Sequence, residues 1–229
     1  MAQEPVGQMP SKAAAEIALL QQDAQLIQIV DAALADATLR AGSHLACRPG
    51  CTQCCHGAFA ISPLDALRLR TAMAELAVNQ PAQAAAIAER ANTYLAEFGP
   101  SFPGNCETGI LGDSPEAEAA FEDFANDAPC PVLNPESGLC ELYAARPMTC
   151  RVFGPPVRSC QDAASEEGLA VCELCFTDAS PEEIAAAEMI VPYAEEQSLL
   201  DQLKQEQPTS GDTIIAYCLK LPSAPLQPS

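Results

Sequence analysis

Apolar residues recur at Ile17, Leu20, Ile27, Val30 and Leu34, separated by three, seven, three and four positions. That spacing predicts one stripe of an amphipathic helix over residues 13–40. Gly42 follows and ends it, because a residue without Cβ accepts the turn that closes a helix. Three Ser-Pro pairs, Ser62-Pro63, Ser114-Pro115 and Ser180-Pro181, mark helix starts. The serine oxygen accepts from an early N–H, and proline at the first helical position has no donor to lose. Asp65 and Glu183 stand where a capping-box carboxylate reaches back. Helices are therefore predicted near 63–78, 81–98, 115–126 and 181–205. Phe121 and Phe124 turn one face of the third inward, and Pro192 kinks or splits the last.

Residues 99–113 read as a surface loop. Residues 129–176 carry Pro129, Pro131, Pro135, Pro147, Pro155 and Pro156, which interrupt every helical pattern there. A stretch of this kind buries too little apolar surface to order itself, so crosslinks must supply the order. Strand patterning is sparse and no internal repeat is visible. The expected fold class is mainly α: a small helical domain with irregular cysteine-rich metal-binding loops. Its organisation is a flexible N-terminus over 1–12, a single helical domain over 13–206, and a C-terminal segment over 207–229 ending in a proline-bearing tail.

Composition refines this picture. Of 229 residues 48% are hydrophobic, but aromatics make up 5% and Trp is absent, so the core is Ala/Leu-rich and helical in character. Asp and Glu number 31 against 11 Lys and Arg, a formal charge of -20. Such a polyanion has no electrostatic reason to approach nucleic acid or anionic lipid, whereas a basic protein partner suits it. No apolar run approaches the ~20 residues of a membrane helix. The first ten residues lack a basic segment followed by an apolar one, so the expected location is the cytoplasm, where thiols stay reduced.

The chemistry lies in twelve cysteines. Seven form two blocks, Cys47-x3-Cys51-x2-Cys54-Cys55 and Cys130-x9-Cys140-x9-Cys150, and Cys160, Cys172 and Cys175 follow. Thiolates clustered in short loops donate to soft or borderline cations, and the turn at Pro49-Gly50 brings Cys47 and Cys51 together. Cys172-x2-Cys175 adds the knuckle spacing in which two sulfurs grip one ion. Adjacent Cys54 and Cys55 point differently, so they either serve two metal centres or one stands behind the other. Cys106 and Cys218, isolated from the blocks, read as small hydrophobes. The metal ligand set is thus Cys47, Cys51, Cys54, Cys55, Cys130, Cys140, Cys150, Cys160, Cys172 and Cys175, with His56 beside Cys55 able to ligate or to donate its N–H to a sulfur. His44 is a weaker candidate of the same kind. Arg146, Arg151 and Arg158 fall inside the second cysteine segment, where guanidinium groups offset thiolate charge or pin the loop to carbonyls.

The run Cys130-Pro-Val-Leu, then Gly138-Leu-Cys140-Glu-Leu-Tyr143-Ala-Ala-Arg146-Pro147-Met-Thr-Cys150-Arg151-Val-Phe153, taken with the first block, resembles the CxxCxxCC family of zinc- or iron-chelating domains, also called YkgJ-type cysteine-cluster proteins. The resemblance spans about residues 45–154. It implies a metal or iron-sulfur site, with Tyr143, Arg146 and Arg151 as residues beside the cofactor. One branch of the family, flagellin lysine N-methylase, uses S-adenosylmethionine; this chain is shorter and shows no glycine-rich site for that methyl donor.

Two functional classes follow. As a binding module the protein stores, senses or delivers metal or electrons. As an enzyme it is a methylase-like or radical-type protein, because Cys47-x3-Cys51-x2-Cys54 has the spacing that holds a [4Fe-4S] cluster beside S-adenosylmethionine. No Ser-His-Asp set, phosphate loop or paired-carboxylate motif supports conventional catalysis. Between zinc and an iron-sulfur cluster the balance tips to iron-sulfur, because the Cys54-Cys55 pair suits a polynuclear centre.

Overall fold

A computed structural model describes residues 12–158 and 169–220. The expected flexible start and proline-bearing tail fall almost wholly outside them, and Cys160 lies outside them too. Eight α-helices occur among the described residues: α1 Lys12–Ala41, α2 Pro63–Asn79, α3 Pro81–Phe98, α4 Pro115–Glu122, α5 Met148–Val152, α6 Pro181–Ala186, α7 Tyr193–Glu206 and α8 Ile215–Cys218. Two small antiparallel pairs complete the fold, β1 Gly104–Asn105 with β2 Ile110–Leu111 and β3 Val157–Arg158 with β4 Leu169–Ala170. The chain is mainly α, as its periodicity predicts. Among the described residues no helix is long and apolar enough to cross a membrane.

The three Ser-Pro signals all start helices. Ser62, Ser114 and Ser180 accept from the backbone N–H groups of Asp65, Ala117 and Glu183. Glu183 completes a capping box by accepting from the Ser180 N–H at 2.8 Å. Asp65 does not complete one: its carboxylate turns away to Arg68 and to the Met148 N–H. Pro192 separates α6 from α7, as expected.

The buried face of α1 differs from the predicted stripe. Leu19, Asp23, Leu26, Val30 and Ala37 point inward, whereas Ile17 is 58% exposed. The helix is rotated so that Asp23 meets Arg68 of α2 in a bidentate pair, Nε to Oδ2 at 2.7 Å and Nη2 to Oδ1 at 2.5 Å. An aspartate inside an apolar stripe reads as polar surface until its partner is known.

The core has several parts. Ala66, Leu69 and Met73 of α2 meet Ala84, Ile87 and Ala91 of α3, whose alanines allow close approach. Ile215, Cys218 and Leu219 fill the same interior. Each fully buried Ile or Leu contributes roughly 1.5–3 kcal/mol. Residues 207–229 were set apart from the helical domain on sequence, yet Ile214–Leu219 is a structural wedge, held by paired backbone hydrogen bonds between Ile61 and Thr213. A six-residue run apolar on every side carries no periodicity by which to place it. Aromatic residues gather in a second cluster, where Phe98 and Phe102 meet the ring of buried Phe124 edge-on and half-buried Phe121 stacks on it, with Tyr94 and Tyr217 packed beyond. Phe124 lies just beyond α4, which stops at Glu122.

Arg68 also donates to Asp65 Oδ1 at 2.7 Å, so one guanidinium serves two buried carboxylates. Burial raises the pKa of Asp65. Nearby Glu196 of α7 is pushed up to about 7 by burial and then by the negative charge of Asp65 and Asp23. Replacing Arg68 by Ala leaves two carboxylates buried without a partner and should lower stability by about 3–5 kcal/mol in a denaturant titration. Glu196 is easier to protonate folded than unfolded, so its contribution is present at low pH and is lost as pH rises from about 4.5 to about 7. Glu196→Gln should therefore gain melting temperature over the parent above pH 7 and match it near pH 4.5; equal melting curves at both pH values would refute this.

Candidate metal centre

The first cysteine block lies in the loop between α1 and α2; of the second, Cys130 and Cys140 lie between α4 and α5, and Cys150 stands on α5. Backbone pairing joins them. Cys130 N–H donates to the Cys55 carbonyl at 2.8 Å and Gly57 N–H to the Ala128 carbonyl at 2.9 Å, an antiparallel bridge centred on His56 and Pro129. Gly57 has φ +84°, and an added Cβ would lie 2.9 Å from the Asn126 carbonyl oxygen, so only glycine fits this approach.

Guanidinium groups then fasten the second block to the helices. Arg90 of α3 donates to the Pro131 carbonyl at 2.9 Å and pairs with Glu141, gripping the chain beside Cys130 and Cys140. Arg151 is 1% exposed; it donates to the Arg146 carbonyl, the Ala144 carbonyl and Asp31 of α1. Together these bonds hold Cys140 and Cys150 where no regular sheet or long helix would.

The result is a cavity of about 630 Å³ walled by Cys47, Cys51, Cys54, Cys55, Cys130, Cys140 and Cys150. Leu34, Leu45, Phe59, Leu69, Val132 and Leu142 supply apolar wall, and the cations are Arg48, Arg146 and Arg151. Among the described residues no carboxylate and no imidazole lines it. Tyr143, Leu139 and Phe153, 61%, 48% and 42% exposed, line it as well. The Arg146 guanidinium lies 3.9 Å over the Tyr143 ring and donates to the Tyr143 carbonyl at 3.0 Å.

Nine described thiols fall into two sets by their strongest mutual interactions. In the larger, Cys54, Cys55, Cys130, Cys140 and Cys150 act on one another. In the smaller, Cys47, Cys51, Cys172 and Cys175 do so. The division falls between Cys51 and Cys54, not between the adjacent Cys54 and Cys55. Among the described residues no three His, Cys, Asp or Glu side chains already stand as a metal-ligand shell, and the seven thiols of the two blocks line one cavity, so the grouping rests on which thiols act most strongly on one another.

Burial raises most of these thiols, Cys130 to about 12. Cys47 also goes to about 12, through burial and then its neighbour Cys175; its sulfur is tucked so close to Gly154 that a Cβ there would lie 2.7 Å away. Cys54 is the exception. The Cys55 S–H donates to it and Arg146 attracts its charge, which lowers it to about 6. Backbone N–H groups two residues on favour the charged forms of Cys130, Cys140 and Cys172.

The remaining sequence candidates separate. His56 presents Nδ1 to the Thr52 carbonyl at 3.1 Å and does not line the cavity. His44 stacks on Phe176 and lies 3.7 Å from Glu183. Arg158 pairs with Glu188. Arg48 is a cavity cation that sequence reasoning passed over, although it directly follows Cys47. Cys218 is buried in the core, and Cys106 is exposed with its S–H on the Gly99 carbonyl.

Helices bracketing loops whose thiols converge on one cavity define a cysteine-cluster, metal-chelating class of protein. The family model "CxxCxxCC: Putative zinc- or iron-chelating domain" matches residues 46–176, more than half of the chain, and the chain belongs to that family. No curated protein and no solved structure matches it.

In reduced, metal-free protein, Cys54 should alkylate first, with a midpoint near pH 6 by peptide mass spectrometry. Cys55→Ala removes the donor, so that midpoint should move up toward the ordinary 9.0; an unchanged midpoint would contradict the assignment.

Proposed function

We propose that this metal-binding domain holds an iron-sulfur cluster in the cavity, with ligands drawn from Cys54, Cys55, Cys130, Cys140 and Cys150. The observation that carries the reading is the donor set: among the described residues, thiols and arginines line the cavity, with no carboxylate or imidazole. Iron-sulfur clusters are held mainly by thiolates, and more thiols gather here than the four that a closed zinc site uses. The residues fit such a group. Five thiols exceed what one tetrahedral ion uses, and about 630 Å³ far exceeds the roughly 30 Å³ share of a water molecule.

When bound, the cluster supplies one-electron chemistry. The chain's own residues set its surroundings. Arg146 and Arg48 offset thiolate charge in a protein of formal charge -20, and the Leu and Phe walls exclude water. The acidic surface suits a basic partner that exchanges metal or electrons with the centre. A second reading, an enzyme acting on a small molecule beside the cluster, draws on the cavity's size, which lies in the range of ligand pockets.

Protein purified without oxygen should contain iron and acid-labile sulfide and absorb visible light, and Cys130→Ser or Cys150→Ser should lose most of that absorption. Colourless protein holding only zinc would end the iron reading. Metal-free, stably folded protein with every cysteine alkylatable would end the metal reading. Cleavage of S-adenosylmethionine by the reduced protein would favour the enzyme over the binding module.

A further inference from the structure

We propose that Cys47, Cys51, Cys172 and Cys175 form a second, separate metal site, four thiolates around one zinc-class divalent ion, that clamps the C-terminal CxxC loop onto the loop entering the cavity. This goes beyond the cluster reading and shares with it only the premise that these loops bind metal.

Each half of the site is a preformed turn. Cys51 N–H donates to the Arg48 carbonyl at 2.9 Å and Cys175 N–H to the Cys172 carbonyl at 2.8 Å, so each cysteine pair closes its own knuckle. The two knuckles face each other. Ala46 N–H, next to Cys47, donates to Cys175 Sγ at 3.4 Å, and Cys175 is the thiol that acts most strongly on Cys47. Another backbone N–H, that of Leu174, points at Cys172. Amides aimed at sulfur stabilise thiolate charge that a divalent ion leaves uncompensated.

Cys47 and Cys51 share the cavity wall with the larger set, and the other two thiols do not. Cys172 and Cys175 are 7% and 5% exposed, packed with Ala41, Phe176 and Ala187, and neither lines the cavity. A structural zinc site takes four protein ligands and leaves no open position. The surrounding backbone has little regular structure. Phe176 N–H on the His44 carbonyl at 2.8 Å, the stacked His44 and Phe176 rings, and Gln53 on Glu173 at 2.5 Å are its other ties. Four convergent thiolates would give that segment the crosslink its sequence lacks.

The clamp also bears on the larger centre. Cys51 and Cys54 are three peptide units apart, which limits their Cα separation to about 11 Å. An ion on Cys51 therefore fixes the start of the turn Gln53–Cys55 that presents Cys54 and Cys55.

Metal analysis of the anaerobically purified full chain and of Cys172→Ser and Cys47→Ser tests this. The parent should hold one equivalent of zinc-class metal besides its iron. Each variant should lose that equivalent, retain the visible absorption, and show faster amide exchange over residues 169–177. Cys218→Ser, outside both sets, should keep everything. Cys47 stands on an exposed loop, so its variant remains informative if Cys172→Ser does not fold. Variants that keep the full metal complement, or that lose all metal and colour together, overturn the clamp. A parent with iron and no separate divalent ion overturns it while sparing the cluster reading. A colourless parent holding two zinc ions does the reverse.

Discussion

Three guanidinium groups hold the cysteine-bearing segment in place, and the rest of the site depends on them. Arg68 of α2 anchors Asp65, whose carboxylate accepts from the Met148 N–H at the start of α5. Arg90 of α3 grips Pro131 and Glu141, and Arg151 gathers the Ala144 and Arg146 carbonyls against Asp31. A planar group with five fixed donors can satisfy several carbonyls and a carboxylate at once, which lysine cannot. Here that property substitutes for secondary structure. Buried loop carbonyls would otherwise cost about 1–3 kcal/mol each.

The same arrangement sets the electrostatics. The chain as a whole is strongly anionic, yet among the described residues the walls of the thiol-lined cavity contain three arginines and no carboxylate. Among the described residues carboxylates are kept off these walls, and positive charge is placed where thiolates collect. Desolvation raises most of the thiols, so without a cation they favour the neutral form. A metal ion reverses that preference and releases protons, which ties metal affinity to pH and to folding. Cys54, with a donor in Cys55 and a cation in Arg146, is prepared for the charged state beforehand.

Local signals carried much of this. The Ser-Pro caps placed α2, α4 and α6, and Pro192 divided the last predicted helix, because capping and proline geometry act within four residues. The seven-cysteine core with Gly138, Tyr143, Arg146-Pro147 and Arg151 marked the family. Features fixed by distant partners were not legible. Asp23 inside the α1 stripe makes sense only beside Arg68, forty-five residues away. Arg151 looked like a neighbour of the cofactor and serves equally as a brace. Arg48, hidden in the first block, shares the cavity wall with it.

By itself the sequence determined a helical scaffold, thiolate-rich metal chemistry and the family, since periodicity, caps and cysteine spacing are properties of short stretches. Only the tertiary structure decided how the thiols are shared. Cys51 and Cys54 are near neighbours in the chain yet belong to different sets, while Cys55 and Cys130 are joined across seventy-five residues by a backbone hydrogen bond. Convergence of that kind depends on long-range backbone pairing and on arginines reaching across helices, and no local pattern encodes either.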